Sequence, residues 1–118
     1  ILIGSALAGQ LDGFALLELD RVKVVGRDAS DTVYALLGDE TLNRDPAYGI
    51  MQSWHDEFLM LYRAQSWTAA SQMLDEHEAT YNDAGLSVLV GVYRQRIEQL
   101  SKGPVTDDWD GVFEATRK

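Results

Sequence analysis

Residues 14–38 run Phe14-Ala15-Leu16-Leu17-Glu18-Leu19-Asp20-Arg21-Val22-Lys23-Val24-Val25-Gly26-Arg27-Asp28-Ala29-Ser30-Asp31-Thr32-Val33-Tyr34-Ala35-Leu36-Leu37-Gly38. Phe14, Leu16 and Glu18 start an extended piece. Val22, Val24 and Val25 carry it past Asp20-Arg21, and Gly26 ends it. After the polar turn Arg27 to Asp31, Thr32 to Leu37 is again rich in residues that suit a pleated, half-buried surface, and Gly38 closes it. Two strands of similar length around a polar turn predict an antiparallel hairpin.

Working backwards, Ile1-Leu2-Ile3 closed by Gly4 reads as the end of a buried strand. Ser5 offers an N-cap for a brief helix through Leu11, and Asp12-Gly13 is the turn that stops it. Working forwards, the hydrophobic period changes from about two to about 3.6 at Asp45, which marks a second architectural unit. Asp45 is a good N-cap and Pro46 belongs in a first helical turn. Ala47, Ile50, Met51, Trp54, Phe58, Leu61 and Tyr62 then define one apolar face. Ser66 caps a second helix, with Trp67, Ala70, Met73, Leu74 and His77 inward, broken at Asn82-Asp83-Ala84-Gly85. Leu86, Leu89, Val90, Tyr93, Ile97 and Leu100 make a third stripe that ends at Lys102-Gly103-Pro104. Short connections between three amphipathic helices predict an antiparallel bundle. Val105 to Lys118, with Trp109 and Phe113 among four acids, reads as a tail lying against another surface.

The 118 residues have ordinary globular composition, 46% hydrophobic, and a formal charge of -9. Nucleic acid and anionic membrane surfaces both need clustered Lys and Arg, so neither is an expected partner. The acidity is spread along the chain and forms no separate tail. There is no cysteine, which excludes disulfides and thiolate metal sites and allows a reducing compartment. No apolar run approaches the roughly 18 residues that span a bilayer. The sequence opens on Ile1-Leu2-Ile3 with no basic flank, which fits no signal peptide and reads as a piece of something longer.

Residues with possible chemistry are few. The glycines at 4 and 26 fall outside any Walker pattern or complete GxGxxG, and read as turn punctuation. His55 stands beside Asp56 and Glu57, and His77 between Glu76 and Glu78. Neither has a multi-histidine spacing, so no metal site is expected. His77 falls on an apolar stripe and is expected to be partly buried with a hydrogen bond, whereas His55 is placed on a solvated face. Asp108-Trp109-Asp110-Gly111 resembles the middle of a calcium loop, but Thr106 and Arg117 stand where ligating acids belong. Trp54, Phe58, Tyr62 and Trp67 at helical spacing read as core rather than as the lining of a ligand groove. No Ser/His/Asp or Cys/His arrangement offers a nucleophile.

Residues 1–38, with Phe14 to Arg27 and then Thr32-Val33-Tyr34-Ala35-Leu36-Leu37-Gly38, resemble the end of class III adenylate/guanylate cyclase catalytic domains. Such domains close with a strand-helix unit, a strand ending in a Lys-Gly pair or similar, and a final strand ending in a Tyr-x-Leu run. The helices after Gly38 and the terminal Asp108-Trp109-Asp110-Gly111-Val112-Phe113, followed by Thr116 and Lys118, are similar to the tails of bacterial cyclases with a membrane-anchored CHASE2-type sensor. Trp67-Thr68-Ala69-Ala70 and its surroundings are similar to a tetratricopeptide (TPR) hairpin, although a second full repeat is missing.

The resemblance implies an intact protein that converts ATP to cyclic AMP and pyrophosphate. Mg²⁺ or Mn²⁺ on two aspartates would assist attack of the ribose 3′-hydroxyl on the α-phosphate. It also implies a homodimer, and a cytoplasmic segment of an inner-membrane-anchored protein with no direct membrane contact of its own. By the resemblance the catalytic residues all precede Ile1, so this chain supplies no catalytic residue, metal ligand or cofactor and packs on its own upstream catalytic domain. The Lys of the Lys-Gly pair is Val25 here. Arg27, just after Gly26, has the reach and charge for a phosphate and equally suits a solvated turn.

The expectation is therefore an α+β chain. Residues 1–38 are the remnant of a cyclase sheet, 45–103 a TPR-like helical module and 104–118 a packing tail. The alternative function is a non-enzymatic helical-repeat module that binds a protein segment between its helices. A third is a small-molecule sensor with a pocket in the aromatic-lined bundle.

Overall fold

The computed structural model describes residues 2–24, 29–103, 109 and 111–115. Helices and strands are both present, so the chain is α+β. Two compact units divide it, Ile1–Ser53 with Gly111–Lys118, and Trp54–Asp110.

The first unit is built on a four-stranded sheet in the order β1-β3-β2-β4. Strand β1 (Leu2–Gly4) leads into the single-turn helix α1 (Ser5–Ala8), and β2 (Ala15–Val24) and β3 (Asp31–Gly38) form the hairpin. Both β1 and β2 run antiparallel to β3, with Ile3 opposite Tyr34 and Leu17 opposite Ala35. They are therefore parallel to one another with β3 inserted between them. Within β2 the register slips between Glu18, opposite Tyr34, and Asp20, opposite Val33, a bulge that adds local twist. Ala15, Leu17 and Leu19 are the buried residues of this strand, because alternate side chains of a strand share one face. Ile3 and Ala35 join them in the core. The last strand, β4 (Val112–Ala115), pairs parallel to β2. The final segment thus contributes a strand, where an extended packing tail was expected.

Ser5 is the first residue of α1 and Gly4 its N-cap. The Ser5 hydroxyl donates to Asp31 Oδ1 at 2.5 Å, so it ties the helix to β3 and does not cap the helix itself. A helical turn that periodicity alone does not reveal, α2 (Glu40–Asn43), follows β3, and Asp39 caps it by accepting the Thr41 N–H at 2.9 Å. Gly38 is required at this corner: a Cβ there would stand 2.7 Å from Leu42 Cδ2 and 2.9 Å from Leu42 Cβ.

Helix α3 (Pro46–Arg63) begins as the sequence dictates. Asp45 accepts the Ala47 N–H at 2.9 Å, and Pro46 takes the first position, where its missing N–H costs nothing. In the first unit its buried residues are Tyr48 and Met51. Ile50, expected inward, is 66% exposed. The apolar face is thus turned by about one residue from the expected one, since residues 48, 51, 55, 58, 59 and 62 recur at spacings of three and four.

The second unit comprises the rest of α3 with α4 (Trp67–Asp83) and α5 (Ser87–Lys102). Both helix connections are Schellman turns. After α3 the Ser66 N–H donates to Leu61 O and the Gln65 N–H to Tyr62 O, with Gln65 at φ 64. After α4 the Leu86 N–H donates to Tyr81 O and the Gly85 N–H to Asn82 O, with Gly85 at φ 79. Phe58, Leu59, Tyr62, Ala70, Leu74, Tyr81, Leu86, Val90, Tyr93 and Ile97 form the core of this unit. Arg94 of α5 reaches Asp75 at 2.8 Å and Glu78 at 3.2 Å on α4, an exposed bridge of about 0.2–1 kcal/mol.

Candidate functional site

The one expected phosphate contact is Arg27, in the polar turn expected over Arg27 to Asp31. Val25, Gly26 and Arg27 lie outside the described residues, as do the outer positions of the calcium-loop pattern. The strands that lead into and out of this turn are described. Arg21 and Val22 of β2 pair with Thr32 and Asp31 on one side and with Val112 and Phe113 on the other. Lys23 and Val24 pair with Glu114 and Ala115. On the outgoing side, the Asp31 carboxylate accepts the Ser5 hydroxyl and the Thr32 N–H. The Ser5 hydroxyl above all holds its pKa below the ordinary carboxylate value; desolvation opposes it, and backbone N–H groups of Ser5 and Thr32 add to the lowering.

The helical unit holds a polar pair inside an aromatic cluster. His55, expected on a solvated face, is fully buried. Its Nδ1 is 2.7 Å from Tyr81 Oη, and the tyrosine donates when the imidazole proton sits on Nε2. A histidine can occupy this core because a hydrogen bond there removes most of the cost of burying a polar group. Burial pushes the Tyr81 hydroxyl well above its ordinary pKa, so it stays protonated and able to donate. His77 is half-buried, and its ring lies flat on Trp54 with centroids 3.9 Å apart and planes 8° apart. The expected partial burial is present, with a ring stack described as its contact. Tyr81 meets the same indole edge-on at 5.0 Å. Phe58 and Tyr62 are core, while Trp54 and Trp67 are half-buried.

Trp109 stands at 5.5 Å from Tyr62 and 6.0 Å from Trp67, ring to ring, and Tyr62 and Trp67 are 5.8 Å apart. The expectation that Trp109 is a packing anchor is met by this aromatic seat. Beside it, Trp67, Gln72, Asp75 and Ile97 are among the residues lining an open groove of about 380 Å³. Its walls are mostly the polar side chains of one α4 face.

Tyr81 is a buried residue of this cluster that the apolar stripes leave out, whereas Tyr93 is buried on the third stripe as expected. Tyr81 lies four residues after His77 and seven after Leu74, so helical spacing carries the signal. Among the described residues no group of three His, Asp or Glu side chains is placed to hold a metal ion, and no helix is long and apolar enough to cross a membrane. No protein-family model, curated protein or solved structure matches the chain.

Proposed function

We propose that this chain is the carboxyl-terminal part of a class III nucleotidyl cyclase, the end of its catalytic domain followed by a helical extension. The observation that carries the reading is the β2–β4 pairing. The resemblance rests on two stretches far apart in sequence, residues 1–38 and the terminal Trp109-Asp110-Gly111-Val112-Phe113 run. Val112 and Phe113 pair with Arg21 and Val22 in a single sheet. The order strand, short helix, strand, strand over residues 2–38 accords with the way such domains close.

On this reading the intact protein forms cyclic AMP, or cyclic GMP, and pyrophosphate, acts as a homodimer in the cytoplasm, and is anchored in the inner membrane elsewhere in its sequence. The metal-binding aspartates belong to the upstream part of the catalytic domain, so no step through Mg²⁺ or Mn²⁺ falls to these residues. Their work is structural: the sheet completes the catalytic domain, and α3 to α5 form a TPR-like module that bears on assembly or regulation. Arg27 remains the candidate phosphate contact.

The test is an assay of nucleotide cyclisation with Mn²⁺, run on the protein with its upstream sequence and on the 118 residues alone. Cyclic nucleotide from the longer protein and none from the shorter is expected. An upstream sequence made of further helical repeats, with no Asn-x-x-x-Arg pattern about one helix before Ile1, would overturn the reading. The second reading, a peptide-binding helical module, is favoured by the open groove along α4 and α5.

A further inference from the structure

The groove between α4 and α5 lies wholly within the helical unit and has a volume of about 380 Å³, at the small end of the roughly 300–1,000 Å³ common for ligand sites. Thr68, Ser71, Gln72 and Asp75 line it from α4, because residues three, four and seven apart share one face of a helix. Trp67 and Ile97 supply the apolar part of the lining. Behind the groove, the buried Tyr62 meets the Trp67 ring edge-on, with centroids 5.8 Å apart and planes at 76°. The indole is thus held in place, which lowers the ordering cost when a ligand stacks on it.

The chemistry of this lining selects a neutral, polar ligand with an apolar face. Asp75 is the one ionisable residue among the described lining residues, and Arg94 already engages its carboxylate at 2.8 Å. A cationic ligand would have to compete with Arg94, and an anionic one would meet Asp75 in a chain of charge -9. An amphipathic helix needs a row of apolar anchors, which Trp67 and Ile97 alone do not provide. By contrast, hydrogen-bonding capacity is plentiful. Among the described residues, the side chains of Thr68, Ser71 and Gln72 make no hydrogen bond, and each can both donate and accept. A pyranose ring is complementary on both counts. Its hydroxyls donate and accept around the rim, while its C–H groups form an apolar face that stacks on an indole.

We propose that this groove binds a neutral carbohydrate of one or two pyranose rings, stacked on Trp67 and hydrogen-bonded by Thr68, Ser71 and Gln72. Binding there is independent of the cyclase reading, and it gives the groove an occupant other than the peptide of the second reading. An open groove covers a sugar on one side only, so the dissociation constant is expected to be on the order of millimolar.

The test is an NMR titration of the whole 118-residue chain with maltose, cellobiose, lactose and N,N′-diacetylchitobiose, with glycerol and a Leu/Lys peptide as comparisons. At least one disaccharide is expected to shift the Trp67 indole N–H and the Gln72 side-chain amide along one saturable curve. Gln72→Ala, at an exposed position, should weaken that binding roughly two- to tenfold, the loss of one hydrogen bond. Trp67→Ala should abolish it. Because Trp67 also packs on Tyr62, Ser71→Leu serves as a second variant that fills the groove and keeps the indole, and it should abolish binding too. No saturable shift at Trp67 and Gln72 with any of the four disaccharides overturns the proposal. An equal shift with glycerol, which has hydroxyls and no ring face, overturns it as well. Shifts from the peptide in the absence of any from the sugars overturn it in favour of the peptide reading. Undiminished sugar affinity in both Gln72→Ala and Ser71→Leu places the sugar elsewhere and also overturns it.

Discussion

The Tyr48 hydroxyl donates to the Leu16 carbonyl oxygen at 2.8 Å, fastening the first turn of α3 to β2. Tyr48 is buried, so its ring supplies apolar contact while its tip satisfies a backbone acceptor. Tyr48→Phe keeps the ring and removes the donor, and a net hydrogen bond is worth about 0.5–1.5 kcal/mol. A loss of that size in urea unfolding is expected, against about 3–5 kcal/mol for Tyr48→Ala, which also leaves a cavity. Equal losses in the two variants would mean that the ring contributes nothing.

The His55–Tyr81 pair predicts an asymmetry of a different kind. Tyr81→Phe leaves His55 Nδ1 without its tyrosine partner in a fully buried site, at a cost of about 1–3 kcal/mol. Adding His55→Leu to Tyr81→Phe removes the polar atom as well, so the double variant is expected to recover part of that loss. Chemical denaturation of the two single variants and the double variant measures the coupling between the residues.

This pair also marks the boundary of what the sequence discloses. The strands of the hairpin and the three long helices were legible because their hydrophobic periods are strong and Asp45-Pro46, Gly85 and Gly103 punctuate them. The orientation of α3 differs from the sequence reading at His55: a polar residue followed by Asp56 and Glu57 reads as outward, which places the apolar face on Ile50. Its burial depends on Tyr81, which follows it by 26 residues, and no local pattern carries that. α2 is only four residues long, too short for periodicity, although the Asp39 cap signals it. β4 has its partner at the other end of the chain, and parallel pairing leaves no hairpin signature in sequence. Of the candidate site, the flanks of the turn are described while Arg27 itself lies outside the described residues.

Asp31 gives the chain an acid-side dependence. Its folded pKa is lowered, first of all by the Ser5 hydroxyl. A depressed carboxyl contributes stability that is present above its unfolded pKa, about 3.9, and is lost as pH falls through the folded value. Ser5→Ala is therefore expected to lower stability at neutral pH and to converge with the parent chain in strong acid. Thermal melting followed across that range reads the convergence, and a gap that persists at the acid end would assign the Ser5 effect to packing. The site is exposed, so solvent screening keeps the effect small.

Two glycines with open space around them are expected to respond in opposite directions to the same substitution. Among the described residues, nothing beyond the adjoining backbone comes within 4 Å of a Cβ built on Gly91 or on Gly85, so sterics do not separate them. Gly91 lies inside α5, where glycine is about 0.8–1 kcal/mol less favourable than alanine. Gly91→Ala is expected to stabilise by that amount. Gly85 is the left-handed residue of the Schellman turn between α4 and α5, at φ 79, where an L side chain costs roughly 1–2 kcal/mol. Gly85→Ala is expected to destabilise correspondingly, offset in part by the reduced freedom of the unfolded chain. The sign of each change in a denaturant midpoint at constant slope decides the matter. Destabilisation by Gly91→Ala would show that something approaches the α5 backbone there, a close contact that the residues described in this chain do not supply.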